Sequence, residues 1–126
     1  MFEKQELFNI WNQELKLKIQ FDCFPGEEVL DTQTEALDLF IKMLPLDEII
    51  DTVKKYCLEH DPDDIEGGKI ENIFSYVMPK SIYVVREENK RVVALLCDYK
   101  PDMEHGMAIV FENESLQSIG SQDIIL

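Results

Sequence analysis

The feature that most constrains the fold is a stretch of three apolar runs between residues 81 and 111. Ile82–Val85 and Val92–Cys97 are joined through the polar residues 87–90, and Met107–Phe111 follows a charged segment. β-Branched and aromatic residues favour a pleated, half-buried surface, and a short polar connection favours a hairpin. The stretch therefore predicts an antiparallel meander around which the domain is built.

Alternation upstream and downstream adds strands to this meander. Residues 15–21 alternate apolar and polar side chains, which predicts a strand with one face on the core. The shorter pattern of Phe8, Ile10 and Trp11 predicts either an earlier strand or a lid. Leu116 and Ile119 indicate one more short strand, and the apolar tail 123–126 is expected to dock on the domain.

Helical periodicity occupies the region between these strands. A capping box formed by Thr32 and Glu35 predicts the start of a first helix, which Pro45 would end. Asp47 is the expected N-cap of a second helix that runs to about Glu59. A third, short helix is predicted over 70–77, ended by Pro79.

The order of these elements predicts an α+β fold in a single domain, 1–126. It consists of a mostly antiparallel β-sheet, made of the C-terminal meander plus the N-terminal strand, with two to three helices packed on it. A chain of 126 residues normally has one core, which needs no disulfide or metal to hold it together.

The charge of the chain limits its partners. The formal net charge is −14, from 26 acidic and 12 basic residues, and residues 31–66 hold 11 of the acids against three bases. Binding to nucleic acid or to an anionic membrane depends on lysine and arginine, so neither partner is expected. A basic protein partner is favoured, although acidity can also serve solubility alone.

Cysteine usage indicates a reducing compartment. Cys23, Cys57 and Cys97 are odd in number and far apart, so neither a disulfide framework nor a zinc site is expected. The N-terminus lacks the apolar segment of a signal peptide, and no apolar run approaches the ~20 residues that span a bilayer. These features predict a cytoplasmic protein.

An acidic loop at residues 59–68 is the first candidate site. It has the composition of a calcium loop, but an EF-hand that began at Asp61 would place Ile65, Glu66 and Asn72 where Asp or Asn, Gly and Glu are required. The loop is therefore interpreted as a solvated surface. Its partner-binding candidates are Asp61, Asp63, Asp64 and Glu66.

A second cluster of polar residues lies between two of the predicted strands. It comprises Asp98, Asp102, Glu104, His105 and Gly106. Carboxylates and an imidazole at this spacing could hold a divalent metal or form an acid–base pair. The simpler interpretation is a structural turn, in which the aspartates cap the backbone, His105 bonds a carboxylate and Gly106 supplies conformational freedom. We expect no metal here.

Motifs for catalysis are missing from the sequence. No serine or cysteine is paired with a general base in a recognisable pattern, and the five glycines form no phosphate-binding loop. The chain is therefore expected to be neither an enzyme nor a cofactor-binding protein.

The chain resembles an uncharacterised family of small bacterial domains, whose members are often encoded beside polymorphic toxins or regarded as immunity proteins. The resemblance spans roughly residues 11–126. It rests on Thr32-Gln33 with Ala36-Leu37, on Leu95–Tyr99 followed by Asp102-x-Glu104-His105-Gly106, and on Ile119-Gly120-Ser121-Gln122-Asp123. In that pattern an aromatic residue usually precedes the aspartate; this chain has Pro101, which argues against an essential aromatic there.

Two functional hypotheses follow. The resemblance and the acidity together suggest an immunity protein that neutralises a basic toxin, such as a nuclease, by covering it with carboxylates. The alternative is a metal- or small-ligand-binding domain, or an enzyme of unknown reaction, centred on Asp98, Asp102, Glu104 and His105. The incomplete ligand set and the missing nucleophile favour the first hypothesis.

Overall fold

The computed structural model describes residues 2–126, with side chains from Lys4 onward. Within that range it contains six strands and two α-helices, which confirms the α+β class. In chain order they are β1 (Phe2–Ile10), β2 (Gln13–Phe21), α1 (Asp31–Lys42), α2 (Ile50–His60), β3 (Val77–Val84), β4 (Val92–Tyr99), β5 (Met107–Glu112) and β6 (Ser115–Gly120).

All six strands form one sheet in the order β1-β2-β3-β4-β5-β6. Each neighbouring pair is antiparallel except β2 and β3, which are parallel over four residues. Parallel neighbours need a long crossover, and both helices lie in this one. The predicted meander, β3 to β5, is confirmed at the centre of the sheet.

The N-terminal residues form a full hairpin, so the strand alternative is correct and the lid alternative is wrong. Trp11 and Asn12 connect β1 to β2 and have positive φ angles of 51° and 65°. Positive φ at both central residues matches the tight hairpin turn whose twist agrees with that of the strands.

The predicted third helix is wrong. Residues 73–75 form one 3₁₀ turn, and the chain then enters β3, which includes Pro79. Proline lacks a backbone donor, and it is accommodated here because the pairing of β3 with β4 shifts register between Pro79 and Ser81. Pairing with the central strand therefore outcompetes a helix of only two turns.

The predicted helix caps are also wrong. The Thr32 hydroxyl donates to the Glu87 carbonyl at 2.7 Å, while the Gln33 side chain accepts from the Leu30 amide at the helix start. The Asp47 carboxylate accepts from the Asn12 side chain at 2.9 Å. Asp47 itself begins a 3₁₀ turn that runs to Ile49, so α2 begins only at Ile50. In each case a distant segment takes the group that local sequence assigned to a cap.

The sheet buries apolar residues on both faces. Leu95 is 0% exposed in the main core, on the face that the helices cover, and Leu96 is 6% exposed in a smaller cluster on the opposite face. Ile125 packs against that smaller cluster, whereas Ile124 and Leu126 remain exposed. The C-terminal tail thus docks through one of its three apolar residues.

Candidate functional site: the acidic end of the sheet

Two tyrosines bring the acidic loop and the polar cluster to the same end of the molecule. Tyr99, the last residue of β4, donates its hydroxyl to the Asp61 carboxylate at 2.7 Å. The Tyr76 hydroxyl accepts from the Glu66 backbone amide at 3.4 Å, and the Lys100 ammonium lies 5.5 Å from the centre of the Tyr76 ring. Both predicted sites therefore belong to one surface.

We call this surface the acidic end and define it by its carboxylates. They are Asp61, Asp63, Asp64, Glu66, Glu71, Asp98, Asp102, Glu104 and Asp123. The basic residues beside these nine carboxylates include Lys69, which pairs with Glu71 at 3.3 Å, Lys80, which lies near Asp98, and Lys100. The acidic end is thus strongly negative.

Within the acidic loop, Asp61 differs from the other carboxylates because it is partly buried against Tyr99. Burial, and then the hydrogen bond to Asp61, raise the pKa of Tyr99 far above its ordinary value, so the phenol is a neutral donor. Asp61 therefore ties the end of α2 to the end of β4. Its primary role is structural.

The other loop carboxylates point into solvent. Asp63, Asp64 and Glu66 are exposed and lie in two consecutive 3₁₀ turns. Ile65 between them is buried in the main core and holds the loop against the domain. Because buried Ile65 fixes the loop on the domain, the exposed carboxylates on either side of it are held in fixed positions.

The polar cluster forms a compact turn. Asp102 accepts from the His105 backbone amide at 3.2 Å and lies 3.0 Å from the His105 ring Nδ1. The bond to Asp102 raises the pKa of His105, and the same bond lowers the pKa of Asp102. Asp102 and His105 therefore satisfy each other.

The remaining members of the cluster do not join that pair. Asp98 faces Lys80 at 3.9 Å, and Glu104 is exposed. Among residues 2–126, no group of three or more histidine, cysteine, aspartate or glutamate side chains is placed to hold a metal ion. The side chains of the cluster therefore do not point toward one common centre, and its carboxylates lie along an exposed surface.

Gly106 joins this turn to the C-terminal segment. Its φ is +64°, and Gln122 closes over it, with the side-chain amide donating to the Cys97 carbonyl at 3.1 Å. The Gln122 backbone amide donates to the His105 carbonyl, also at 3.1 Å. The Asp-x-Glu-His-Gly and Ile-Gly-x-Gln-Asp sequences thus form one structural unit, although Gly106 and Gln122 are 16 positions apart.

Sequence reasoning missed the residues that assemble this end, namely Tyr76, Tyr99 and Ile65. Tyr99 had a readable signal, because an amphipathic aromatic at the end of an apolar strand often bonds a polar neighbour with its hydroxyl. Tyr76 and Ile65 had no such signal. Tyr76 was assigned to the third helix, which does not form, and Ile65 to a solvated loop.

Stability should depend on pH through the Asp102–His105 pair. Because the pKa of His105 is raised above its ordinary value of 6.5, the protonated ring adds its full stabilisation to the folded state below pH 6.5. That stabilisation is lost as the pH rises through the raised pKa of His105. Because the pKa of Asp102 is lowered below its ordinary value of 3.8, the ionised carboxylate stabilises the folded state above pH 3.8. That stabilisation is lost as the pH falls through the lowered pKa of Asp102. An NMR titration of the His105 ring should therefore give a lower pKa in Asp102→Asn; an unchanged pKa contradicts the pairing.

The helical layer carries further exposed charge. Ten of the 11 carboxylates in residues 31–66 are exposed, and Asp61 is the exception. The buried residues of α1 and α2 face the sheet, so the acids of both helices project outward. None of the helices in the described part of the chain is long and apolar enough to cross a membrane.

The sequence model of a protein family matches residues 2–126, almost the whole chain. That family is described as a domain of unknown function, DUF6985. No curated protein and no solved structure matches the chain.

Proposed function

The chain belongs to the DUF6985 family, whose description assigns no activity, so we propose a function from its surface: an acidic protein that binds a basic protein partner. The observation that carries the proposal is the acidic end, where two segments remote in sequence present carboxylates around Tyr76 and Tyr99. Complementary charge raises association rates and selects against wrong partners.

We further propose that the partner is a toxin domain and that the chain is its immunity protein, acting by binding and not by catalysis. The resemblance in sequence motifs supports this reading. A nuclease is a suitable target, because its phosphate-binding site is basic and would attract the carboxylates of the acidic end. The site of action in this proposal is the reducing cytoplasm, which agrees with three free, buried cysteines.

Exposed loop carboxylates are the best contacts to test. The variant Asp63→Lys, Asp64→Lys, Glu66→Lys reverses charges that have no side-chain partner among the described contacts, while Asp61 stays to hold Tyr99. Association with the proposed partner, a toxin domain encoded by a neighbouring gene, should slow ~10-fold or more at low salt. The difference should shrink at high salt because mobile ions screen exposed charges.

A matched control separates a specific surface from overall charge. Asp38→Lys, Glu48→Lys, Asp51→Lys changes the net charge equally, at exposed positions of the helical layer. Its association rate should stay close to that of the unchanged protein. Equal slowing in both variants, or slowing in neither, would remove the acidic end from the interface.

A further inference from the structure

A groove of about 420 Å³ runs between α2 and β6, at the edge of the sheet. One stripe of α2 forms its wall, with Thr52, Lys55, Tyr56, Glu59 and His60 at helical spacing, and Leu116–Ile119 of β6 form the other side. The His60 ring stacks on Tyr56 with centroids 4.0 Å apart. The groove therefore combines an aromatic wall with the half-buried side chains of Leu116 and Ile119.

The side of β6 that meets this groove is a free sheet edge. Within residues 2–126, β5 is the one strand hydrogen-bonded to β6. A free edge presents unpaired amides and carbonyls, which proteins usually guard with charged residues. At the opposite edge β1 carries the exposed Lys4–Glu6 ion pair, whereas the sequence of β6, Ser-Leu-Gln-Ser-Ile-Gly, contains no charge.

The chemistry at the end of the groove indicates what it would hold. The carboxyl ends of α2 and β6 both lead to the acidic end, through Asp61 after His60 and through Asp123 after Gly120. The partial negative charge at the C-terminus of α2 favours cations there as well. A bound strand that extends past the groove would thus place positive side chains among carboxylates.

We propose that this groove binds an extended, basic segment of a partner protein, which adds to β6 as a seventh strand beneath α2. In such strand addition, backbone hydrogen bonds provide affinity and alternate side chains provide specificity. Apolar side chains of the segment contact Tyr56, Leu116 and Ile119, and lysine or arginine residues at one end reach Asp61 and Asp123. This inference rests on the proposed function and names the part of the partner that is recognised.

A second copy of this chain fits the groove less well. The net charge of −14 opposes self-association, and the acidic end of one copy would approach that of the other. The pairing of β5 with β6 also shifts register beside Val110, where Ser118 pairs with Val110 and Leu116 with Phe111, leaving Gln117 as a bulge. A bulge twists the edge, which disfavours pairing with the edge of a second folded sheet, whereas a flexible segment can follow the twist.

Two synthetic peptides serve as probes: acetyl-Val-Thr-Val-Thr-Val-Lys-Lys-Lys-amide and the same sequence reversed. Whichever orientation is correct should shift the backbone NMR signals of Ser115–Gly120 and of α2, and should slow amide exchange in β6. Thr52→Trp fills the groove from an exposed helix position and should weaken peptide binding ~10-fold or more. Thr34→Trp, the same change at an exposed position of α1 outside the groove, should leave binding unchanged.

Several results would overturn the proposal. They are no saturable shift with either peptide, shifts along β1 instead of β6, equal affinity in Thr52→Trp, or a dimer in sedimentation velocity that Thr52→Trp dissolves. Equal binding of a peptide with glutamates in place of the lysines would overturn the basic character of the segment. If Thr52→Trp leaves toxin association unchanged while reversal of Asp63, Asp64 and Glu66 slows it, the proposed function stands and the groove does not take part.

Discussion

Replacing Gln33 should destabilise the protein more than any other change to a polar side chain outside the acidic end. Gln33 is 1% exposed, and its side-chain amide donates to the carbonyls of Asp22 at 3.0 Å and Val84 at 3.2 Å. Asp22 directly follows β2, and Val84 ends β3. The start of α1 thus binds the carboxyl ends of the two parallel strands, whose pairing spans only four residues.

The size of the effect follows from the groups left without partners. Gln33→Leu removes three hydrogen bonds, in one of which the side chain accepts and in two of which it donates. A buried polar group that is left without a hydrogen-bond partner costs about 1–3 kcal/mol. Val84 keeps a bond from the Asp22 amide, so we expect a loss of about 2–4 kcal/mol in the free energy of unfolding. Gln33→Glu should cost more, because a carboxylate would face two carbonyl oxygens in a buried site.

Urea denaturation followed by circular dichroism measures both losses. Gln13→Leu and Gln13→Glu, at an exposed position at the start of β2, are the matched controls and should change stability little. If the Gln33 and Gln13 variants were equally stable, the amide of Gln33 would have no part in holding α1 on the parallel pair.

Gly106→Ala is the second change with a large expected effect. A Cβ at Gly106 would lie 2.5 Å from the Gln122 side-chain nitrogen and 2.8 Å from the Cys97 carbonyl oxygen. The positive φ of +64° costs an alanine about 1–2 kcal/mol, and overpacking adds about 1–3 kcal/mol. We therefore expect the free energy of unfolding to fall by about 2–5 kcal/mol.

Two further variants separate the cost of the positive φ angle from the cost of steric contact with Gln122 and Cys97. Gly67→Ala has a similar φ of +73° but no atom within 4 Å of its new Cβ, so it should show the backbone cost alone. Gln122→Ala combined with Gly106→Ala should recover only part of the loss, since the Cys97 carbonyl still blocks the site. Equal stability of the Gly106→Ala and Gly67→Ala proteins would show that Gln122 and Cys97 do not confine the turn.

The sequence by itself determined the α+β class and the central strands of the sheet. β-Branched and aliphatic runs near Val92–Cys97 leave few alternatives to a buried strand, and polar residues 87–90 leave few alternatives to a hairpin. The end of α1 before Pro45 was equally determined, because proline removes a backbone donor. These features depend on neighbours in sequence, which the sequence contains directly.

The sequence predicted the parts of the proposed binding surface but not their arrangement. Asp61, Asp63, Asp64 and Glu66 form one acidic segment and Asp98–Gly106 another, and each is visible as a local cluster of polar residues. The two segments meet at one end of the molecule because the Tyr99 hydroxyl bonds the Asp61 carboxylate, 38 positions away in sequence. No local sequence pattern predicts that contact. The groove beside β6 was invisible for the same reason, since helix and strand come from opposite halves of the chain.

Tertiary structure decided the remaining features by competition between local and distant partners. Thr32 had a local cap available but donates to Glu87, 55 positions away, and Gln33 bridges two strands that the sequence does not show to be neighbours. Around Pro79, pairing with β4 replaced a short helix. A short helix or a single cap contributes about 1 kcal/mol, whereas docking on the sheet buries several apolar side chains at about 1.5–3 kcal/mol each. The distant contacts therefore prevail.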